Sequence, residues 1–289
     1  MRMLGYALTA LCWLPTALLS QSVAQEQTQV LTSDLDVLAF YSHLPQKALD
    51  GLPPVSQFVP AIEKTISTGS KATIATLWPY LTTDMADPNP RVRKLAVMGI
   101  TLVSNRPDGS EFLRQSPKQL LNSLSDDDLG VANEFAFGMR FAGSTLPDPI
   151  VAGLSAYLMR SDAAEKAGPS VVTTLLLTRS KDKSLSEGIS SFLSRPGRSP
   201  AAQIQLLRAV SIPGVDDSII GVVRNILKTS VDHNVRLTAM IAVDRIGPRA
   251  RTICAPELQA IAASNTESGE IRTMATSVLS RKRLTATTP

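Results

Sequence analysis

The sequence predicts an all-α chain whose antiparallel helix pairs stack into an α-solenoid, and three observations carry that prediction. Six segments with helical apolar spacing recur at intervals of 31 to 40 residues, anchored at Val92, Val131, Val171, Ile204, Val235 and Ile271. A turn built from Asp, Asn, Ser, Pro or Gly separates each from another apolar stripe upstream. Hydrophobic residues reach 44% of the 289 residues while aromatics reach only 4%, so Leu, Ala, Val and Ile do the packing. A drifting period of this size, in which each unit buries its apolar face on the next, marks a solenoid, here of about six to seven helix pairs.

In chain order, residues 1–24 are set apart from the fold as a secretory signal. Arg2 supplies the positive start, residues 3–19 are apolar apart from Thr9 and Thr16, and Ser22-Val23-Ala24 offers small residues for cleavage. The run falls short of the roughly 20 residues that span a bilayer comfortably. The alternative is an uncleaved N-terminal anchor. Thr9-Ala10-Leu11-Cys12 lacks the small residue expected before a lipidated cysteine. Cleavage after Ala24 leaves a mature chain of net charge +3 with Cys254 as its single cysteine, destined for the periplasm or the medium, with no transmembrane segment.

Residues 25–33 are polar and read as a disordered linker, and residues 34–70 as an N-terminal helical cap with helices over 34–44 and 55–65. A docking role for Phe40, Tyr41 and Phe58 competes with the cap. The repeats occupy 71–283, followed by a disordered tail, 284–289. In the clearest unit, Ala72, Ile74, Leu77, Trp78 and Leu81 form one stripe, with Pro79 a candidate kink. Asp87-Pro88-Asn89-Pro90 makes the turn, Asp87 or Asn89 caps the next helix and Pro90 opens it. Val92, Leu95, Ala96, Gly99, Ile100 and Val103 then form the inward stripe. First helices are expected over 117–125, 148–160, 184–194, 216–229 and 256–263. Second helices are expected over 131–141, 170–180, 200–211, 235–246 and 271–283.

The turn Asp87-Pro88-Asn89-Pro90 followed by Arg91-Val92-Arg93 and Ala96 resembles the HEAT and HEAT-like (armadillo-type) repeat signature. Val235-Arg236 with Ala239, and Ile271-Arg272 with Ala275, match it as well. The unit at Val131 has Ala132 and Phe135 at the Arg and Ala positions, and those near Val171 and Ile204 lack the Arg. The resemblance implies a right-handed superhelix, second helices along the concave side and a binding role, with neither reaction nor cofactor.

Motifs for catalysis do not emerge. His43 and His233 lie on different units without a ligand cluster, Asp126-Asp127-Asp128 lacks the Gly and distant Glu of a calcium loop, and no phosphate-cradling glycine loop or nucleophile elbow occurs. The acidic triplet is better read as a helix cap, and Cys254 as a semi-buried structural residue.

Charge is the one asymmetry. The second-helix windows hold 17 basic residues against Glu134, Asp182 and Asp244, while the rest of the mature chain holds 11 basic and 22 acidic residues. Capping and the helix dipole account for part of this, and Arg93, Arg236 and Arg272 are candidates for a structural ladder to neighbouring turns. Arg91, Lys94, Arg140, Arg179, Arg208 and Arg245 are least explained by capping, and are the candidate partner-binding residues of a basic concave face. The expected function is a non-catalytic exported scaffold binding a protein or peptide, acidic segments being the favoured class. An enzyme or enzyme accessory subunit acting on envelope polymers or small molecules is the alternative. Export and a low net charge argue against nucleic acid.

Overall fold

Short polar residues start nearly every helix of the second layer. Asn89, Asp128, Ser199, Asp232 and Ser268 each accept a hydrogen bond from a backbone N–H of the first turn that follows. These are the orphan donors every helix start must satisfy. In this computed structural model the residues described are 59–179 and 182–281, all within one compact unit. The expected signal, linker, first cap helix and tail lie outside them.

Fifteen α-helices make up the described residues. They are α1 Val59–Thr68, α2 Lys71–Asp84, α3 Pro90–Ser104, α4 Gly109–Gln115, α5 Pro117–Asn122, α6 Leu129–Gly138, α7 Asp148–Tyr157 and α8 Gly168–Arg179. The series continues with α9 Lys183–Leu193, α10 Pro200–Ala209, α11 Asp217–Thr229, α12 His233–Ile246, α13 Pro248–Ile253, α14 Ala255–Ala263 and α15 Gly269–Ser280. Short 3₁₀ turns lie at Ser123–Ser125, Met139–Thr145 and Ala163–Glu165.

Packing sorts them into two layers. In the second-helix layer α1 packs on α3, α3 on α6, α6 on α8, α8 on α10, α10 on α12 and α12 on α15. In the first-helix layer α5 packs on α7, α7 on α9, α9 on α11 and α11 on α14. Each helix therefore meets its pair-mate and its nearest repeats, which is the one-dimensional logic of a solenoid. The core runs along the seam as an unbroken file, from Ile62 and Ile66 through Val92, Val131, Val171, Leu206, Val235 and Ile271 to Val278.

Several boundaries differ from expectation for identifiable reasons. The cap helix expected over 55–65 is α1, shifted toward the repeats, and it joins the second-helix layer against α3. Gly109 opens α4 rather than only closing the turn before it. The helix expected to run to residue 141 ends at Gly138 and tightens into a 3₁₀ turn. At Gly247 the backbone takes φ 111°, a conformation open to glycine, and this separates α12 from the unanticipated α13. Pro79 does not end α2, which continues to Asp84. The anchor assigned to Ile204 belongs to Ala202: Ala202 is buried, follows the Ser199 cap as Val235 follows Asp232, and Ile204 is only half-buried.

Candidate functional site

With Ala202 as the anchor, the second helices share one register. Four residues after Val92, Val131, Val171, Ala202, Val235 and Ile271, the positions Ala96, Phe135, Leu175, Leu206, Ala239 and Ala275 are all buried. The opposite side of the same helices is then fixed by the 3.6-residue period. It carries Arg91, Lys94 and Met98 on α3, Asn133 and Phe137 on α6, and Thr173 and Leu177 on α8. Arg208 on α10, and Leu237, Ile241 and Arg245 on α12, continue it. The close stacking that aligns these rows has a specific cause between α3 and α6, where a Cβ at Gly138 would collide with the Thr101 side chain.

Many arginines are fasteners between repeats. Arg93 on α3 donates from Nε and Nη2 to both Asp126 carboxylate oxygens, at 2.6 and 2.8 Å, and to the carbonyls of Asp87 and Pro88. Arg236 bonds Glu267 in the corresponding turn of the following repeat, so the expected ladder holds for both. Arg272, in the last pair, donates instead to the carbonyl of Ser264. A second set reaches backward. Arg106 grips Asp108 with two hydrogen bonds and donates to the carbonyls of Ile66 and Gly69. Arg160 grips Asp162 in the same way and donates to the Ser125 hydroxyl. Arg160 and Lys166 together hold the Asp162 carboxyl down at about 2. Asp126 and Asp128 serve as latch and cap: Asp126 accepts from the Asp128 N–H, and Asp128 from those of Gly130 and Val131, while Asp127 is exposed.

The six sequence-predicted contact residues fall into different situations. Arg91, Arg208 and Arg245 are exposed and, among the described residues, make no ion pair. Lys94 lies on the same face but its ammonium sits 3.1 Å from Asp128, so it serves a neighbouring cap. Arg140 lies past the end of α6, in the 3₁₀ turn, with its guanidinium 3.3 Å from the Phe137 ring centre and 4.7 Å from that of Phe141. Burial lowers its pKa and raises that of Glu134, whose charge acts on Arg140 without an ion pair between them. Arg179 ends α8, and its side chain lies outside the described residues. Arg91, Lys94, Arg208 and Arg245 thus share one face of the second-helix layer at different heights along their helices, with Arg140 at its edge. Sequence reasoning passed over the apolar members of the same face, Phe137 and Leu177, because single apolar residues at helical spacing look like core.

Other chemistry is sparse among the described residues. No group of three or more His, Cys, Asp or Glu side chains is placed to hold a metal ion, and no helix is long and apolar enough to cross a membrane. Cys254 is buried, and burial pushes its thiol up to about 12, the opposite of what a nucleophile needs. A cleft of about 370 Å³ between α7 and α9 is lined mainly by apolar side chains, including Val151, Leu158, Met159, Leu185 and Ile189. His233 lies at the start of α12 with Nε2 3.1 Å from Glu270.

No family model matches the sequence, and no curated protein matches it. Among solved structures, the chain is similar to an archaeal HEAT-like repeats protein from Thermococcus onnurineus NA1. That likeness is 13% identity over 86% of this chain and 96% of the other, with a TM-score of 0.45. An engineered protein aligns at 17% identity over 87% of this chain and 71% of its own, with a TM-score of 0.40. A designed armadillo repeat protein, solved in complex with the peptide (KR)4, aligns at 17% identity over 82% of this chain and 98% of its own, with a TM-score of 0.34.

Proposed function

We propose that this chain is a non-catalytic, exported helical-repeat scaffold that binds an acidic protein or peptide across the outward side of its second-helix layer. One observation carries the proposal. Arg91, Arg208 and Arg245 stand exposed on that side without an internal counter-ion among the described residues, whereas Arg93, Lys94, Arg106, Arg160 and Arg236 are each held by a carboxylate. Free guanidinium groups on one face select a partner by charge complementarity, and each offers planar two-point recognition of a carboxylate. Export rests on Arg2, the apolar run after it and the small residues before Gln25.

The test begins with affinity purification from the native host and identification of what copurifies. That partner is then titrated against the native chain and against Arg208→Glu/Arg245→Glu. The double reversal is expected to weaken binding about tenfold or more, with a stronger effect at low salt. Binding that is unchanged by the reversal overturns the proposal.

A further inference from the structure

We propose that the turn between α9 and α10 is a binding site for a small organic carboxylate, whose acid group pairs with Arg195 and Arg198 and whose apolar body lies in the cleft between α10 and α11. Three turns of the chain are built alike up to one residue. Arg106 and Arg160 each donate from Nε and Nη2 to the carboxylate two residues further on, Asp108 and Asp162, and from Nη1 to the preceding repeat. Arg195 makes the same backward contact, from Nη1 to the Arg160 carbonyl at 3.3 Å, but the residue two positions on is Gly197. Its Nη2 lies 3.4 Å from the Met159 sulfur, a weak acceptor, and its Nε has no acceptor among the described residues. This turn keeps the arginine of the latch and lacks the carboxylate.

Nothing else in the turn supplies the missing charge. Residues 194–199 hold Arg195 and Arg198 and no acidic residue, while the turns leading into α3, α6, α8, α12 and α15 hold Asp87, Asp126, Asp162, Asp232 and Glu267. The two guanidinium carbons lie 5.3 and 4.6 Å from the centre of one ring, that of Phe192. Arg198 donates to the carbonyls of Phe192 and Leu193, and neither arginine has an ion pair among the described residues. Burial, and then the charge of Arg195, lower the pKa of Arg198, and Glu165 opposes this without pairing with it. Two half-buried like charges without a carboxylate of their own favour an anion from outside.

The cleft beside the turn sets the rest of the ligand. Arg195, Gly197, Arg198 and Gln203 line a space of about 150 Å³. Its remaining lining is mostly apolar, including Leu206, Val210, Val222 and Ile226. A cavity of about that volume holds a benzene-sized body. A Cβ at Gly197 would meet nothing within 4 Å, so there is room here where Asp108 and Asp162 stand in the other two turns. A carboxylate on a ring-sized apolar body satisfies both parts of the cleft, with charge-assisted hydrogen bonds at one end and apolar contact at the other.

Benzoate titrated into the ¹⁵N-labelled full chain, followed by amide chemical shifts, tests this. Saturable shifts are expected at Gln203, Val222 and Ile226, with benzyl alcohol, an uncharged molecule of similar size, binding about tenfold more weakly or worse. Gly197→Asp restores the carboxylate from within and should abolish benzoate binding, since Asp tolerates the positive φ of 81° there better than most residues. Arg195→Gln, which gives up hydrogen bonds only to the Arg160 carbonyl and the Met159 sulfur, should weaken benzoate about tenfold and serves where Gly197→Asp does not fold. Arg208→Glu/Arg245→Glu should leave the titration unchanged, so this site and the acidic-partner face stand or fall separately. No saturable shift at the cleft, equal binding of benzyl alcohol, or benzoate binding that survives Arg195→Gln undiminished overturns the proposal.

Discussion

Replacing Asp84 with Asn is expected to stabilise the protein at neutral pH and not in acid. Asp84 closes α2, is 5% exposed, and leaves one carboxylate oxygen buried without a hydrogen-bond partner. Burial, and then the negative charge of Asp87, raise its pKa from 3.8 to about 6. The folded state therefore holds this proton more tightly than the unfolded chain does. The stabilisation it brings is complete below about pH 4 and is lost as pH rises through about 6. A difference of about two units, at about 1.4 kcal/mol each, sets the loss at about 3 kcal/mol by pH 7.5. Asn carries no charge at any pH, so Asp84→Asn should recover a large part of that, about 1–3 kcal/mol. Urea unfolding followed by far-UV circular dichroism, run at pH 4 and pH 7.5 on both chains, measures it. A stability difference that is the same at both pH values refutes the assignment of a strained carboxylate at Asp84.

The Arg93 latch predicts a larger effect in the other direction. Arg93→Ala leaves the nearly buried Asp126 carboxylate unpaired and should cost about 3–5 kcal/mol in urea unfolding, with Arg93→Ala/Asp126→Asn costing less than the two single changes combined. Gly138→Val should force α3 and α6 apart and lower stability by about 1–3 kcal/mol, while Gly221→Ala, with open space around its position on α11, should raise it by about 0.5–1 kcal/mol. Both are read from thermal melts. Cys254 should resist alkylation in the native chain at pH 8 and react once urea unfolds it, as followed by peptide mapping.

The two-layer architecture was legible in the sequence because its cause is local. A turn residue that caps, followed by Val or Ile and then a small residue one turn on, states both where a helix begins and which side it buries, as at Asn89-Pro90-Arg91-Val92 and Asp232-His233-Asn234-Val235. The same rule misled at residues 200–209, where the anchor is Ala202; alanine serves there because Leu206 and Leu207 fill the seam, and the larger Ile204 drew the assignment two positions along. Helix α4 was hidden by Gly109, which signals a stop by composition but lies inside the first turn. The candidate surface was legible only as a surplus of charge. Counting cannot separate Arg93, whose partner lies 33 residues ahead in the next turn, from Arg208, which has none among the described residues. The bidentate pairs of Arg106 with Asp108 and Arg160 with Asp162 were within reach of sequence, since the partners sit two residues apart. The stacking of Arg140 on Phe137 and Phe141 required the tight turn after α6, which no spacing announced.

Forward-reaching Arg93 and Arg236 and backward-reaching Arg106 and Arg160 make every joint they cross a shared possession of two units. A repeat lifted out of the stack would carry a stranded carboxylate on one edge or a stranded guanidinium on the other. The latch carboxylates Asp126 and Glu267 sit in the turns within a pair, so a circularly permuted version should be opened in a loop between pairs rather than in those turns.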